Sequence, residues 1–519
     1  MTRIAACALA VGAWVFGGLL SAMVAAAEHA KPAASAKLNV LFIAVDDWRP
    51  EAGCYGNTLI RTPNIDRLAA RGTTFLRAYC QQAVCSPSRT SLMLGRRPDT
   101  TQVYDLQTHF RLHLPEVTTL PEHFKKHGYH ARGLSKIYHG GLDDPRSWSV
   151  PHWSPSAPGY GSPEILKELR AEQARLREQH GGPAERVLQS DPETGMTLKL
   201  SQPKFRARGP AWEAAPVDDD DLADGQTAKR AVEVLREIKD KPFFLAVGFL
   251  KPHLPFVAPK KYFDMYRREQ FPVADTPNPP QDCPEIAMHN WGELRSYKGI
   301  PPKGPLPDEM AIDLIHGYYA ATSYIDAMIG RVLDELDRLG LAERTVVVLW
   351  GDHGWHLGDH GLWCKHTNFE KATRAPLIVS APGRKAAGRR TNALVEFVDI
   401  YPTLVELCGL PMPEGLEGTS VAPLLDEPDR PWKTAAFSQY PRSGAMGYSI
   451  RTDRYRYTEW RPKKQGPLLG VELYDHQKDP EENVNLAGRP EFKEVVEKLA
   501  AQLKAGWQSA KPNADPTAQ

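Results

Sequence analysis

Two pairs of residues in this sequence have the charge and proximity to do chemistry, Asp46-Asp47 and Asp352-His353. Adjacent carboxylates repel one another and are costly to hold together away from water unless a cation compensates them. Three carboxylates supply the oxygen donors that a hard divalent ion, Ca2+ or Mg2+, prefers. His353 is the softer member, an imidazole that could ligate directly or orient a ligand from behind. A cysteine stands at position 85, in the run Cys85-Ser86-Pro87-Ser88-Arg89. A lone cysteine is ordinarily a buried hydrophobe or an inert thiol, so the interest of Cys85 lies in its neighbours.

Both charged pairs end an apolar run. Residues 38–45 (LNVLFIAV) stop at Asp46, and 345–350 (TVVVLW) lead through Gly351 into Asp352. Residues 243–250 (FFLAVGFL) run into Lys251-Pro252-His253, and 377–380 (LIVS) form a fourth such run. Continuous apolar runs of this length mark strands covered on both faces. Amphipathic patterns between them predict helices over 223–239 and about 307–339, the second closed by Gly340. The alternation predicts an α/β domain around a mostly parallel sheet sandwiched by helices, with ligands beyond the strand carboxyl ends. On that rule Asp46, Asp47, His253, Asp352 and His353 converge on one rim.

The pattern C-x-P-S-R, with Gly95 six residues past Arg89, resembles the signature of the type I sulfatases, although the family prefers leucine where this chain has Met93. Segments 39–64, 80–106, Ser135-Lys136-Ile137-Tyr138-His139, 249–256 (FLKPHLPF), 351–377 and Glu472-Leu473-Tyr474-Asp475 resemble the iduronate-2-sulfatase branch. The likeness covers nearly the whole chain after residue 27, apart from 151–221. It implies an alkaline-phosphatase-like fold and oxidation of Cys85 to formylglycine by a maturation enzyme. It also implies one bound Ca2+ held by Asp46, Asp47, residue 85, Asp352 and His353. Arg89 would hold the nucleophile and Lys136 its oxygen and the sulfate. His139 would take the proton in the elimination, Lys365 would bind sulfate, and His253 would act as general acid beside the leaving oxygen. Trp355 and His356 either line a sugar-binding rim or pack inside. A hydrated aldehyde has two hydroxyls on one carbon, one to attack sulfur and the other to expel sulfate and restore the aldehyde, whereas a serine would stop at a stable ester. The substrate class implied is a sulfated carbohydrate, with a 2-O-sulfated uronate as candidate.

Composition bounds the rest. The chain has 519 residues, 42% hydrophobic and 24% charged, which excludes a disordered or multi-span membrane protein. Lys plus Arg number 64 against 63 Asp plus Glu, so no overall field favours nucleic acid. Arg3 precedes an uncharged run to Ala27 with a small-residue end, which predicts an export signal over 1–27. Retention as an anchor is the other reading; after cleavage no membrane span is expected. With cysteines this sparse, disulfides are not expected to be the scaffold, and the lack of an Asn-x-Ser/Thr sequon favours a bacterial periplasmic or secreted setting. The sequence divides into a catalytic domain over 38–425 with a polar insertion at about 151–221, a smaller α+β subdomain over 426–507, and a disordered tail over 508–519. The acidic run Asp218–Asp221 reads as a solvated helix cap. Two rival functions stay open: a phosphate or phosphonate ester hydrolase of the same fold, and an inactive carbohydrate-binding relative with unconverted Cys85.

Overall fold

The computed structural model describes residues 37–180, 184–190, 197–202 and 206–512. The expected export signal lies outside these residues. Among the described residues no helix is long and apolar enough to cross a membrane, and the six described cysteines are unpaired.

The central sheet has seven strands: β1 (Asn39–Val45), β2 (Thr73–Tyr79), β3 (His130–Ser135), β4 (Phe243–Phe249), β5 (Thr345–Gly351), β6 (Leu377–Ser380) and β7 (Arg390–Glu396), in the order β7-β2-β6-β5-β1-β4-β3. β6 runs antiparallel to both neighbours and the other pairings are parallel. β1 is central and wholly buried. Its alternate residues feed two cores, as the period-two geometry of a strand requires. Val40, Phe42 and Ala44 pack with helices α3 (Leu120–Lys126) and α7 (Ile400–Leu407) on one face. Leu41, Ile43 and Val45 pack with α1 (Pro63–Ala70), α5 (Ala223–Ile238) and the long α6 (Asp308–Arg338) on the other.

Helix α2 (Cys85–Leu94) has every residue buried, and Gly95 closes it in the left-handed conformation that a side chain disfavours. Within 151–221, helix α4 (Pro163–His180) has no buried residue, and Ala184–Ser190 pairs with Thr197–Gln202 as an antiparallel hairpin. The acidic run makes a capped 3-10 turn, with Asp220 paired to Arg331 at 2.6 Å and Asp219 to Lys261 at 2.8 Å.

The C-terminal part is a four-stranded antiparallel sheet, β8 (Ala435–Arg442), β9 (Ala445–Thr452), β10 (Tyr455–Pro462) and β11 (Gly470–Asp475), covered by α8 (Lys493–Ala505). The tail expected from residue 508 is ordered at its start. Trp507–Ala510 forms a 3-10 turn in which Ala510 is buried and its carbonyl accepts from the Thr434 amide at 3.1 Å. Arg97 lies 5.1 Å from the Trp507 ring centre, a contact that sequence composition did not reveal. Residues 513–519 of that tail lie outside the described residues.

A buried ion-pair network fastens this sheet to the main domain. Arg456 on β10 donates to Glu482 at 2.7 Å and to Glu370 at 2.5 Å. Glu370 also accepts from the Tyr79 hydroxyl at 2.9 Å, and its amide donates to Glu482 at 2.8 Å. Glu370, His476 and Glu482 lie close enough to suggest a metal cluster, but these side-chain donors already satisfy the carboxylates, so the group is an ion-pair lock.

Candidate active site

The register of the sheet sets the site. Val45 pairs with Phe249 on β4 and with Gly351 on β5, so Asp46, the loop to His253, and Asp352 leave the sheet at one level. The Asp46 amide donates to the Phe249 carbonyl at 3.2 Å, and the Asp352 amide to the Val45 carbonyl at 3.1 Å. β3 brings Lys136 to the same edge. Gly248 is required there, because a Cβ at that position would sit 2.1 Å from the Lys136 carbonyl oxygen. Asp47, Ser135, Cys364 and His366 all have positive φ. Non-glycine residues in this conformation cost on the order of 1–3 kcal/mol each, a strain that gathers at functional sites. Here they lie in or beside Asp47, Lys136 and Lys365.

Cys85 opens helix α2 and is 1% exposed. Its Sγ is 3.4 Å from His353 Nε2, 3.7 Å from Asp47 Oδ1 and 4.0 Å from Lys136 Nζ. Burial and the Asp46 charge push the thiol well above its ordinary pKa, so the encoded side chain is no thiolate nucleophile. One turn along α2, Arg89 donates to Asp352 at 2.8 Å, to Asp46 at 3.0 Å and to the Ile137 carbonyl at 3.1 Å. All three ionised side chains are fully buried.

Two ammonium groups flank residue 85. Lys136 Nζ is bonded to Asp46. Lys365 Nζ lies 2.9 Å from Asp47 Oδ2 and 2.9 Å from Glu293 Oε2. Burial would raise Asp46, but Lys136 and Arg89 outweigh it and hold the carboxyl well below its usual range. Asp47 goes the other way, pushed well up by burial and by Asp46, Glu293 and Asp352, against the pull of Lys365. A surplus of carboxylate around Asp47 is what a bound cation would relieve.

His353 is buried, and its Nδ1 sits 2.9 Å from the Gly354 carbonyl, which can only accept. That leaves Nε2 as a lone pair facing Asp47 Oδ1 at 3.2 Å and Cys85. Burial lowers its pKa further. Donor atoms within 4.8 Å of one another fall into two overlapping groups, Asp46-Asp47-Cys85-His253 and Cys85-Asp352-His353, which share Cys85. The five residues expected as ligands are therefore together, with His253 as an added neighbour. The oxygen-rich set suits a hard divalent cation, and the lone pair of His353 is turned toward it.

On the open side, the His253 side chain is 24% exposed, with Nε2 3.3 Å from Glu293 Oε1 and Nδ1 against the Leu254 carbonyl. Burial, Lys136 and Lys365 lower its pKa well below the usual value. Burial and Lys136 push His139 down to about 3, so it is a neutral base. Lys365 and His253 overcome burial and hold Glu293 at about 2. Sequence reasoning missed Glu293. It lies in a four-residue helical turn, Gly292–Arg295, between segments with no apolar period and no motif.

Trp355 is not on an open rim. It is 1% exposed, with its ring edge-on to Phe256 and Lys365 Nζ 4.8 Å above its centre. His356 is also buried, bonded to Thr367 at 3.0 Å. Of the two readings, packing is the one these positions support. A cavity of about 270 Å3 beside the C-terminal sheet, lined by Arg97, Asp99, Tyr448 and Trp507, shares no residue with the site, and Glu396 already neutralises its Arg97.

The sulfatase family model matches residues 38–410, and the model described as N-sulphoglucosamine sulphohydrolase, C-terminal, matches 358–509. Iduronate 2-sulfatase of Mus musculus is 35% identical over 521 residues, covering 86% of this chain and 89% of the relative. Two solved structures share the fold. A phosphonate monoester hydrolase of Agrobacterium radiobacter has TM-score 0.69 and 23% identity, covering 90% of this chain and 95% of that one. A protein solved with its substrate D-glucosamine-2-N,6-O-disulfate has TM-score 0.68 and 21% identity, covering 93% and 100%. With signature, rim and a likeness over most of the chain in agreement, the chain belongs to the sulfatase family, in its iduronate-2-sulfatase-like branch, and is a sulfatase enzyme.

Proposed function

We propose that this enzyme removes sulfate from a sulfated carbohydrate, with a 2-O-sulfated uronate as the favoured substrate, through formylglycine at position 85 and one bound Ca2+. One observation carries the reading: Cys85 heads a buried helix with its Sγ ringed by His353, Asp47 and Lys136. When hydrated, the aldehyde made from that cysteine supplies two hydroxyls on one carbon, one for attack on sulfur and one for release of sulfate. Asp46, Asp47, Asp352, His353 and residue 85 would hold the Ca2+, which supplies positive charge to the sulfate oxygens.

The chain's own residues do the rest. Lys136 and Lys365 are held by Asp46 and by Asp47 with Glu293; in this reading the two cations would grip the sulfate oxygens. Arg89 stays charged and holds Asp46 and Asp352 in orientation. His253 faces the opening, where the departing sugar oxygen needs a proton; because burial, Lys136 and Lys365 lower its pKa in the empty site, it would have to take up that proton once a bound sulfate offsets the two ammonium groups. His139, neutral because burial and Lys136 lower its pKa, is the candidate to accept the proton as sulfate leaves. Export to the periplasm or outside the cell, through the segment 1–27, and a separate maturation enzyme complete the proposal.

Intact mass of the peptide holding residue 85 tests maturation, and Cys85→Ala tests the nucleophile. Cys85→Ala is expected to lose at least 1,000-fold in kcat on sulfate esters, on the order of losses on removing a nucleophile. Undiminished turnover overturns the mechanism. The fold likeness to a phosphonate monoester hydrolase supports a second reading, phosphoester or phosphonate ester hydrolysis; paired sulfate and phosphonate esters separate the two. Native protein with an unconverted thiol and no turnover would instead favour an inactive carbohydrate-binding relative.

A further inference from the structure

Cations beside residue 85 are matched by carboxylates: Arg89 by Asp46 and Asp352, Lys136 by Asp46, Lys365 by Asp47 and Glu293. Arg442 is different. It ends β8 and is partly buried, and its Nη2 donates to the carbonyl of His366, the residue after Lys365. The guanidinium lies 4.9 Å from the Tyr440 ring centre, and that ring is 5.9 Å from the ring of His366. Among the described residues no carboxylate pairs with Arg442, and its Nε is buried without an acceptor. Burial, opposed only by Tyr440, lowers its proton affinity, the reverse of Arg89.

Withdrawing a guanidinium from water without a counter-ion is expensive. Its planar fork matches a carboxylate or sulfate in bidentate fashion, and the Tyr440 stack and the His366 bond hold that fork in place before any ligand arrives. The geometry points to Arg442 as a specificity-determining residue. We propose that it binds a second anionic group of the substrate, a uronate carboxylate or a neighbouring sulfate, while the scissile sulfate lies between Lys136 and Lys365. The proposal rests on the sulfated-carbohydrate reading above and adds where the second charge of the sugar goes.

The test is steady-state kinetics of wild type, Arg442→Met and Arg442→Lys on four esters. These are 4-nitrophenyl sulfate, a 2-O-sulfated uronate disaccharide carrying one further sulfate, its uronate methyl ester, and the same disaccharide without the further sulfate. Wild type should prefer the fully charged disaccharide over one of its two neutralised forms by about 10- to 100-fold in kcat/KM. Which form suffers identifies carboxylate or sulfate as the partner. In Arg442→Met that preference should collapse toward one, with Arg442→Lys between; the lysine variant keeps the test readable if the methionine variant misfolds. An unchanged preference in Arg442→Met overturns the proposal alone. Equal losses on all four esters overturn it too, because Arg442 would then merely pin the Lys365 loop through His366. Turnover of the aryl sulfate with none of any disaccharide removes the carbohydrate reading and this proposal together.

Discussion

Replacing Arg89 by methionine tests whether the rim is held by charge balance. The variant keeps most of the stem volume but leaves Asp46 and Asp352, both fully buried, short of a cation. It also strips a donor from the Lys136 and Ile137 carbonyls. Breaking one buried pair costs about 3–5 kcal/mol. Lys136 still matches Asp46, so the expected loss is about one such pair, about 3–5 kcal/mol at pH 7, measured by urea unfolding of purified metal-free protein. The pH dependence follows from the carboxylate. Asp46 is held well below its ordinary range in the native state. Its contribution is therefore present above the unfolded value of about 3.9 and is lost as pH falls through the folded one. Without Arg89 that depression shrinks, so the gap between variant and wild type is widest near neutrality and narrows below about pH 4. A gap under about 1 kcal/mol at pH 7, or one that does not change with pH, refutes the reasoning.

Two further predictions concern carboxylates with opposite shifts. Glu293→Gln removes the charge that Lys365 and His253 share; kcat/KM on a sulfate ester should fall about 10- to 100-fold, and because the native carboxyl is held at about 2 the variant should also lose up to about 3 kcal/mol of stability at pH 7 in urea unfolding; full activity would exclude a role in positioning them. Glu472 is buried, accepts from Trp460 and Tyr474, and is pushed up to about 7 by burial. A raised carboxyl stabilises the fold below its unfolded value near 4.5 and loses that contribution as pH rises toward 7. Glu472→Gln should therefore be more stable than wild type at pH 8, by up to about 3 kcal/mol, and equal to it near pH 4; a variant less stable at pH 8 would reverse the assignment.

The sequence was informative where burial is two-sided. β1, β4, β5 and β6 read as unbroken apolar runs, and the residues just past three of them converge on the rim as the parallel-sheet rule requires. β2, β3 and β7 were not legible. TTFLRAY, HARGLS and RTNALVE mix polar and apolar residues, since β3 and β7 are the sheet edges and β2 is half-buried at its centre. Cys85 and Arg89 stood out because the run around them resembles the type I sulfatase signature, and their spacing of four puts both on one turn of a helix. Glu293 did not, since it reaches Lys365 and His253 only through the folding of an irregular segment. Trp355 shows the complementary difficulty: an aromatic next to Asp352-His353 suggests sugar contact, but its depth depends on Phe256 and Lys365, which arrive from elsewhere in the chain.

The lock built from Arg456, Glu370 and Glu482 has a consequence for how the molecule can be dissected. Glu370 lies five residues after Lys365, and its amide and carboxylate are both gripped from the far end of the polypeptide. The segment carrying Lys365, the ammonium proposed to grip sulfate, thus takes its shape from residues translated more than eighty positions later. A truncated chain ending before Arg456 would keep the signature cysteine and every expected ligand, yet lack the anchor for that ammonium. The C-terminal sheet is better regarded as part of the catalyst than as an appendage to it.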